Sequence, residues 1–204
     1  GLGTMGLVYG ALAALAQTNL RRLLAYASLS HVGLVVLGLA SLDLAGLQGA
    51  VFQLLNFPLI AGGLFVLLRF LNLRLGSTDL IALGGLATSM PLLAACFFFL
   101  SLATLGVPGT SGFPAEFLLL MSALNTHLGA GLLALLTMVL SAAYVLDSYR
   151  RAFFGPPGHR AIMAAVDLRP RELGIALAFS LPILVLGLWP SLVLDTLHAT
   201  AQQW

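Results

Sequence analysis

Long apolar runs, cut at intervals by short polar links, decide what this chain can fold into. The runs cover residues 1–16, 23–40, 45–70, 90–127, 129–149 and 174–194. A bilayer core of about 30 Å needs roughly 20 helical residues, because a backbone without water must satisfy its own hydrogen bonds. Composition agrees: 60% of the 204 residues are hydrophobic and 8% are charged, with mean hydropathy +1.04. An ordinary soluble domain carries roughly a quarter charged residues. The expectation is an all-α integral membrane protein, one membrane domain over residues 1–204, with six transmembrane helices. The apolar start at Gly1, without a methionine or a charged leader, reads as a piece or processed form of a longer chain.

The fourth run is too long for one straight crossing. Its middle reads Gly106-Val107-Pro108-Gly109-Thr110-Ser111-Gly112-Phe113-Pro114, which continuous helix does not tolerate. The nine basic residues are all Arg, and they choose between one broken crossing and two. Arg21 and Arg22 follow run one, and Arg69 and Arg74 end run three. Arg150, Arg151, Arg160, Arg169 and Arg171 follow run five. Counting run four as a single crossing puts all nine on one side, the cytoplasmic side by the positive-inside rule, and both chain ends on the other. The fourth helix is therefore expected to be discontinuous, broken near 106–114 at Gly106, Pro108, Gly109, Gly112 and Pro114. A multi-pass protein of a bacterial inner membrane is the natural setting. The bilayer is then a partner, and no basic face with interleaved aromatics offers itself to a nucleic acid.

Ionisable groups inside a bilayer cost about 2.5–3.5 kcal/mol at mid-helix, which marks them as functional candidates. Glu116 opens the second half of the broken helix. It either accepts and releases a proton or caps that half-helix at the membrane edge. His31, after Ser28 and Ser30, either shuttles protons or is a neutral side chain bonded to a neighbouring helix. Tyr26, Gln53 and Asn56 either line the same path or bond across helices. Asp147 with Arg150 and Arg151 has the spacing of a helix-end ion pair. Asp195 and His198 read as interfacial, and His127 and His159 lie in connections without an assigned role. Cys96 reads as a packing residue. Metal-ligand clusters, CxxC, P-loop and dinucleotide glycine fingerprints are not evident, so no cofactor or metal is expected in this chain.

Three stretches resemble the proton-pumping antiporter-like subunits of respiratory complex I. They are Gln17 to Gly33 (QTNLRRLLAYASLSHVG), Leu102 to Phe117 (LATLGVPGTSGFPAEF) and, more weakly, Leu192 to His198 (LVLDTLH). The likeness is to the C-terminal half of the chain M subunits, NADH–quinone oxidoreductase components with fourteen helices and two inverted five-helix repeats. It implies that this chain is the second repeat plus the last helix, with the broken helix as the family's twelfth. It places Glu116 on the acidic position of the Gly-Glu-Phe motif, on the outward proton path, and His31 on the histidine of the central polar axis. It also implies electrostatic tuning by Arg21, which stands where the family usually has Lys. Asn19 replaces an Asp, Phe57 stands where a His is frequent, and Ala115 replaces Gly. Arg does not release its proton, so conduction would rest on water, His31 and Glu116. A first repeat with the family's other essential Glu and Lys would lie outside this chain.

The resemblance further implies other membrane-arm subunits as partners, protons as the transported species, and NADH, FMN, iron–sulfur clusters and quinone in partner subunits. It leaves several alternatives. One is a subunit of a multisubunit cation/proton antiporter or a membrane-bound hydrogenase. A second is a structural membrane spacer that does not conduct, motivated by the absent Lys and by Phe57. A free-standing channel is the third.

Overall fold

A computed structural model describes residues 1–156 and 160–201, the side chains of 160, 161 and 197–201 excepted. His159 and the side chains of Arg160 and His198 thus lie outside the described residues. The elements are α1 (Leu2–Leu15), α2 (Leu20–Ala40), α3 (Leu44–Leu75), the single turn α4 (Leu86–Ser89), α5 (Pro91–Thr104) and α6 (Gly112–Thr126). Then follow α7 (Leu128–Phe153), the short α8 (Arg160–Met163), α9 (Pro170–Leu188) and α10 (Ser191–Ala201). Helices α2, α3, α7 and α9 are each long and apolar enough to cross a membrane, and α1 and α5 are shorter apolar helices. Large apolar side chains such as Met5, Leu136, Val139 and Leu181 point outward, as lipid contact requires and water would penalise.

Several helix ends differ from the expected boundaries, for local reasons. The second run begins at Leu20, because Asn19 caps α2 by accepting from the Arg21 amide at 3.0 Å. The third runs five residues past 70, until Gly76 adopts φ 71° and takes the helix-ending left-handed conformation. The fifth continues to Phe153. The sixth starts at Pro170, a residue suited to a helix's first turn. It stops at Leu188, and after Trp189-Pro190 the chain enters α10. Pro58 lies inside α3, where it removes one ladder donor.

The fourth run is two helices. Gly106 (φ 61°) and Gly109 (φ 94°) turn the backbone between them, with Pro108 in the same turn. Pro114 does not break the chain, contrary to the expectation. It sits in the first turn of α6, where helix N–H groups have no intrahelical partner to lose. Gly112 serves close approach rather than a special φ: a Cβ there would lie 2.3 Å from the Ala103 carbonyl oxygen. The Ser111 amide donates to the Ile183 carbonyl of α9 at 3.1 Å, so irregular backbone at this depth is satisfied by protein.

Helices α1 and α2 meet through glycine. A Cβ on Gly33 would come 2.3 Å from the Leu7 amide nitrogen, and one on Gly10 would come 2.5 Å from that of Ser30. Small residues let membrane helices approach this closely. The contact fixes the rotation of α2: the Ser30 hydroxyl donates to the Leu7 carbonyl at 2.9 Å, and His31 turns inward.

The Arg-bearing connections gather at one end of the bundle. Leu20 N donates to Thr78 O at 3.0 Å, Leu80 N to Thr18 O at 2.8 Å and Gly85 N to Phe154 O at 3.2 Å. At the same end the Arg74 guanidinium donates to the carbonyls of Val166, Phe70 and Asp167 and pairs with Glu172. The Asp167 carboxylate accepts from the amides of Leu92 at 2.7 Å and Leu93 at 3.1 Å, capping α5 from a distant loop. Asp147 bridges Arg150 at 3.0 Å and Arg151 at 2.7 Å. Arg74→Ala strips four acceptors of one fork-shaped donor. We expect it to cost about 1–3 kcal/mol and to reduce the chain's amount in native membranes severalfold. Lys recovers only part, lacking the planar fork. Wild-type abundance of the Ala variant on an immunoblot would contradict this.

Candidate functional site

Two apolar clusters fill the bundle, and a polar layer separates them. On α2 the first cluster holds Leu20 to Ala27 and the second Leu34 to Leu37, with Ser30 and His31 between. On α3 the second holds Ala50 and the first begins at Ile60, with Gln53 and Asn56 between. On α7, Ala134 belongs to the second and Tyr144 to the first, with Thr137 between. The polar residues therefore share one depth.

Within that layer the contacts are continuous. The Ser111 hydroxyl, in the helix break, donates to Asn56 Oδ1. Asn56 Nδ2 donates to Gln53 Oε1 at 3.3 Å, and Gln53 Nε2 lies 3.3 Å from His31 Nδ1. The same ring nitrogen stands 3.5 Å from Glu116 Oε1. All five side chains are buried, Asn56 and Ser111 at 0% exposure and Glu116 at 4%. Uncompensated charge at such a place costs several kcal/mol. A proton passing between Oε1 and Nδ1 leaves the pair neutral overall, which makes the exchange compatible with burial.

Glu116 does not cap α6, which has neither a side-chain cap nor an acidic residue in its first turn. Its carboxylate instead lies against the break, so that a Cβ on Gly106 would fall 2.6 Å from Oε2. Phe57, where the family frequently has His, packs its ring 4.9 Å from that of His31.

Two expected members stand apart. Tyr26 is half-buried and packs edge-on against Tyr9, with ring centroids 6.4 Å apart. Among the described residues no hydrogen bond joins it to the layer. Arg21 is exposed, ten residues before His31 and so about 15 Å away along α2. At that distance its influence on His31 is small, and the tuning role finds no geometric support. Asn19 holds the Arg-rich end together, donating from Nδ2 to Asp79 and accepting from the Thr78 hydroxyl at 3.2 Å.

Three contributors escaped the sequence reading: Ser111, Thr137 and Tyr144. Ser111 was visible only as part of the break, and Tyr144 sits in an apolar run. At the opposite end from the arginines, Asp43 caps α3 through the Gly46 amide at 2.9 Å and accepts from the Ser122 hydroxyl.

Asn56→Leu removes the partner of both the Ser111 hydroxyl and the Gln53 carbonyl. Stranding buried polar groups costs about 1–3 kcal/mol each in water-soluble proteins, and less in membranes, where the average is roughly 0.6 kcal/mol per bond. We expect a lower thermal midpoint for the chain's assembled form, read as loss of its native-gel band. An unchanged midpoint would mean these contacts contribute nothing.

Comparison with known proteins places this arrangement. Residues 1–141 match the family model described as NADH:quinone oxidoreductase/Mrp antiporter, TM. NADH-quinone oxidoreductase subunit M of Rhodobacter capsulatus is 38% identical over 95% of this chain and 38% of its own length. The subunit M of Pseudomonas aeruginosa is 38% identical over 100% of this chain and 40% of its length. This chain thus spans about 40% of the length of these relatives. Among solved structures, respiratory complex I from Thermus thermophilus superposes with TM-score 0.93 at 37% identity, covering 99% of this chain and 42% of the matched one. The Mrp complex from Dietzia sp. superposes at 0.86 and 25% identity, covering 96% and 44%. The chain belongs to the family of NADH:quinone oxidoreductase/Mrp antiporter transmembrane proteins.

Proposed function

We propose that this chain is part of the membrane arm of a respiratory complex I and carries the outward half of a proton path. The observation behind this reading is the buried chain from Ser111 through Asn56, Gln53 and His31 to Glu116. It ends on the one carboxylate buried in the bundle among the described residues. Glu116 takes a proton from the central layer, exchanging it with His31, and releases it toward the end away from the arginines. By the positive-inside rule the Arg-rich connections face the cytoplasm, so release is outward, across a bacterial inner membrane. Quinone reduction occurs in partner subunits, which hold the NADH site, FMN, iron–sulfur clusters and quinone. This chain contributes no redox step.

A second reading, a subunit of a cation/proton antiporter, is favoured by the likeness to the Mrp complex. One experiment separates them: gentle detergent extraction of native membranes, a native gel, and mass spectrometry of the band containing this chain. The proposal expects subunits that oxidise NADH or reduce quinone in that band. Other antiporter subunits alone, or this chain by itself, would overturn it.

A further inference from the structure

Among the described residues, three buried side-chain polar atoms have no hydrogen-bond partner: His31 Nε2, Gln48 Nε2 and Tyr144 Oη. Two of these residues, His31 and Tyr144, line one small cavity together with Glu116, Ser30, Thr137 and Ser141. It lies between α1, α2, α6 and α7, and its volume is about 20 Å³. A water needs roughly 10–15 Å³ by the same measure, together with two to four polar partners. Room and partners coincide here.

The histidine ring explains why the two sides of the site differ. Nδ1 is occupied by Gln53 Nε2 at 3.3 Å and Glu116 Oε1 at 3.5 Å. With the Gln53 amide donating to Nδ1, the neutral ring carries its hydrogen on Nε2. That N–H has no protein acceptor, and an unpaired buried donor costs about 1–3 kcal/mol. The Thr137 hydroxyl already donates to the Ala134 carbonyl at 2.8 Å, which leaves its oxygen lone pairs as acceptors. The Tyr144 hydroxyl is uncommitted.

We infer that the cavity is an ordered-water site in which Tyr144 positions a water between His31 Nε2 and the Glu116 carboxyl group. The inference rests on the half-channel reading for its purpose and on the cavity for its existence. The water accepts from Nε2–H and donates to Glu116, and the Tyr144 hydroxyl fixes its orientation. When His31 holds a second proton, its Nε2 proton passes to the water oxygen while the water gives one of its own to the carboxylate. The result is neutral His31 in its other tautomer, the remaining hydrogen on Nδ1 toward Glu116 Oε1, with an intact water and protonated Glu116. The ring thus offers two routes to one acid, through Nδ1 directly and through Nε2 by way of water. Tyr144 is a positioning residue, acting on Glu116 through the water.

The test has two parts on the intact assembled complex. A density map showing ordered solvent is expected to contain one water within hydrogen-bonding distance of Tyr144 Oη and His31 Nε2; a dry cavity overturns the inference. This part needs no variant. Infrared difference spectroscopy identifies the carboxyl stretch of Glu116 by its loss in Glu116→Gln. In Tyr144→Phe, which keeps the ring and removes the hydroxyl, that band is expected to shift as its water is lost or turned. An unshifted band overturns the positioning role. Normal proton pumping by Glu116→Gln beside an occupied cavity would instead remove the half-channel reading and leave the water site standing.

Discussion

Gly112→Val is expected to leave less than about a tenth of the wild-type amount of this chain in the membrane. The new Cβ would sit 2.3 Å from the Ala103 carbonyl oxygen and 3.2 Å from Gly106 Cα. Both are backbone atoms, so no flexible side chain can swing away. Relief requires α5 and α6 to part at the break, where Ser111 is tied on one side to Asn56 and on the other to Ile183. Overpacking of this kind costs about 1–3 kcal/mol and sometimes more, and roughly 1.4 kcal/mol is a tenfold change in a folding equilibrium. Glu116 lies one turn further along α6, so any surviving protein would carry a displaced carboxylate. The measurement is an immunoblot of washed membranes, with Gly112→Ala expected between the two. A wild-type level for the Val variant would mean that the two half-helices are not held this closely.

The break was legible because proline, glycine and arginine speak independently of helix rotation. Gly106 and Gly109 do carry the positive φ values their residue type suggests. Pro114 misled because residue type alone does not distinguish a helix breaker from a first-turn residue. Rotation about the helix axes was the harder problem. In a membrane protein both the inward and the outward faces are apolar, so periodicity does not say which side of α2 or α7 meets the bundle. Tyr26 and His31 were both candidates for one path along α2, yet the glycine contact between Gly33 and α1 turns His31 inward and leaves Tyr26 against Tyr9. The same ambiguity hid Tyr144. Only helix packing places its hydroxyl beside the His31–Glu116 cavity. Helix ends ran beyond the apolar runs where local capping extends them, at Asn19 and Gly76.

Glu116→Gln tests the central claim most directly. The amide has nearly the carboxyl group's shape, but it does not take up and release a proton at neutral pH. Packing should therefore survive, since Glu116 makes no charged contact other than the one to His31 among the described residues. The assay is proton uptake per electron transferred, followed with a pH-sensitive dye in inverted vesicles whose complex is first shown intact on a native gel. Loss of an essential acid–base group typically costs about 10²–10⁴ in rate, and we expect uptake through this half-channel to fall at least tenfold. Unchanged uptake per electron in an intact complex would contradict the account and leave this chain as a structural membrane element.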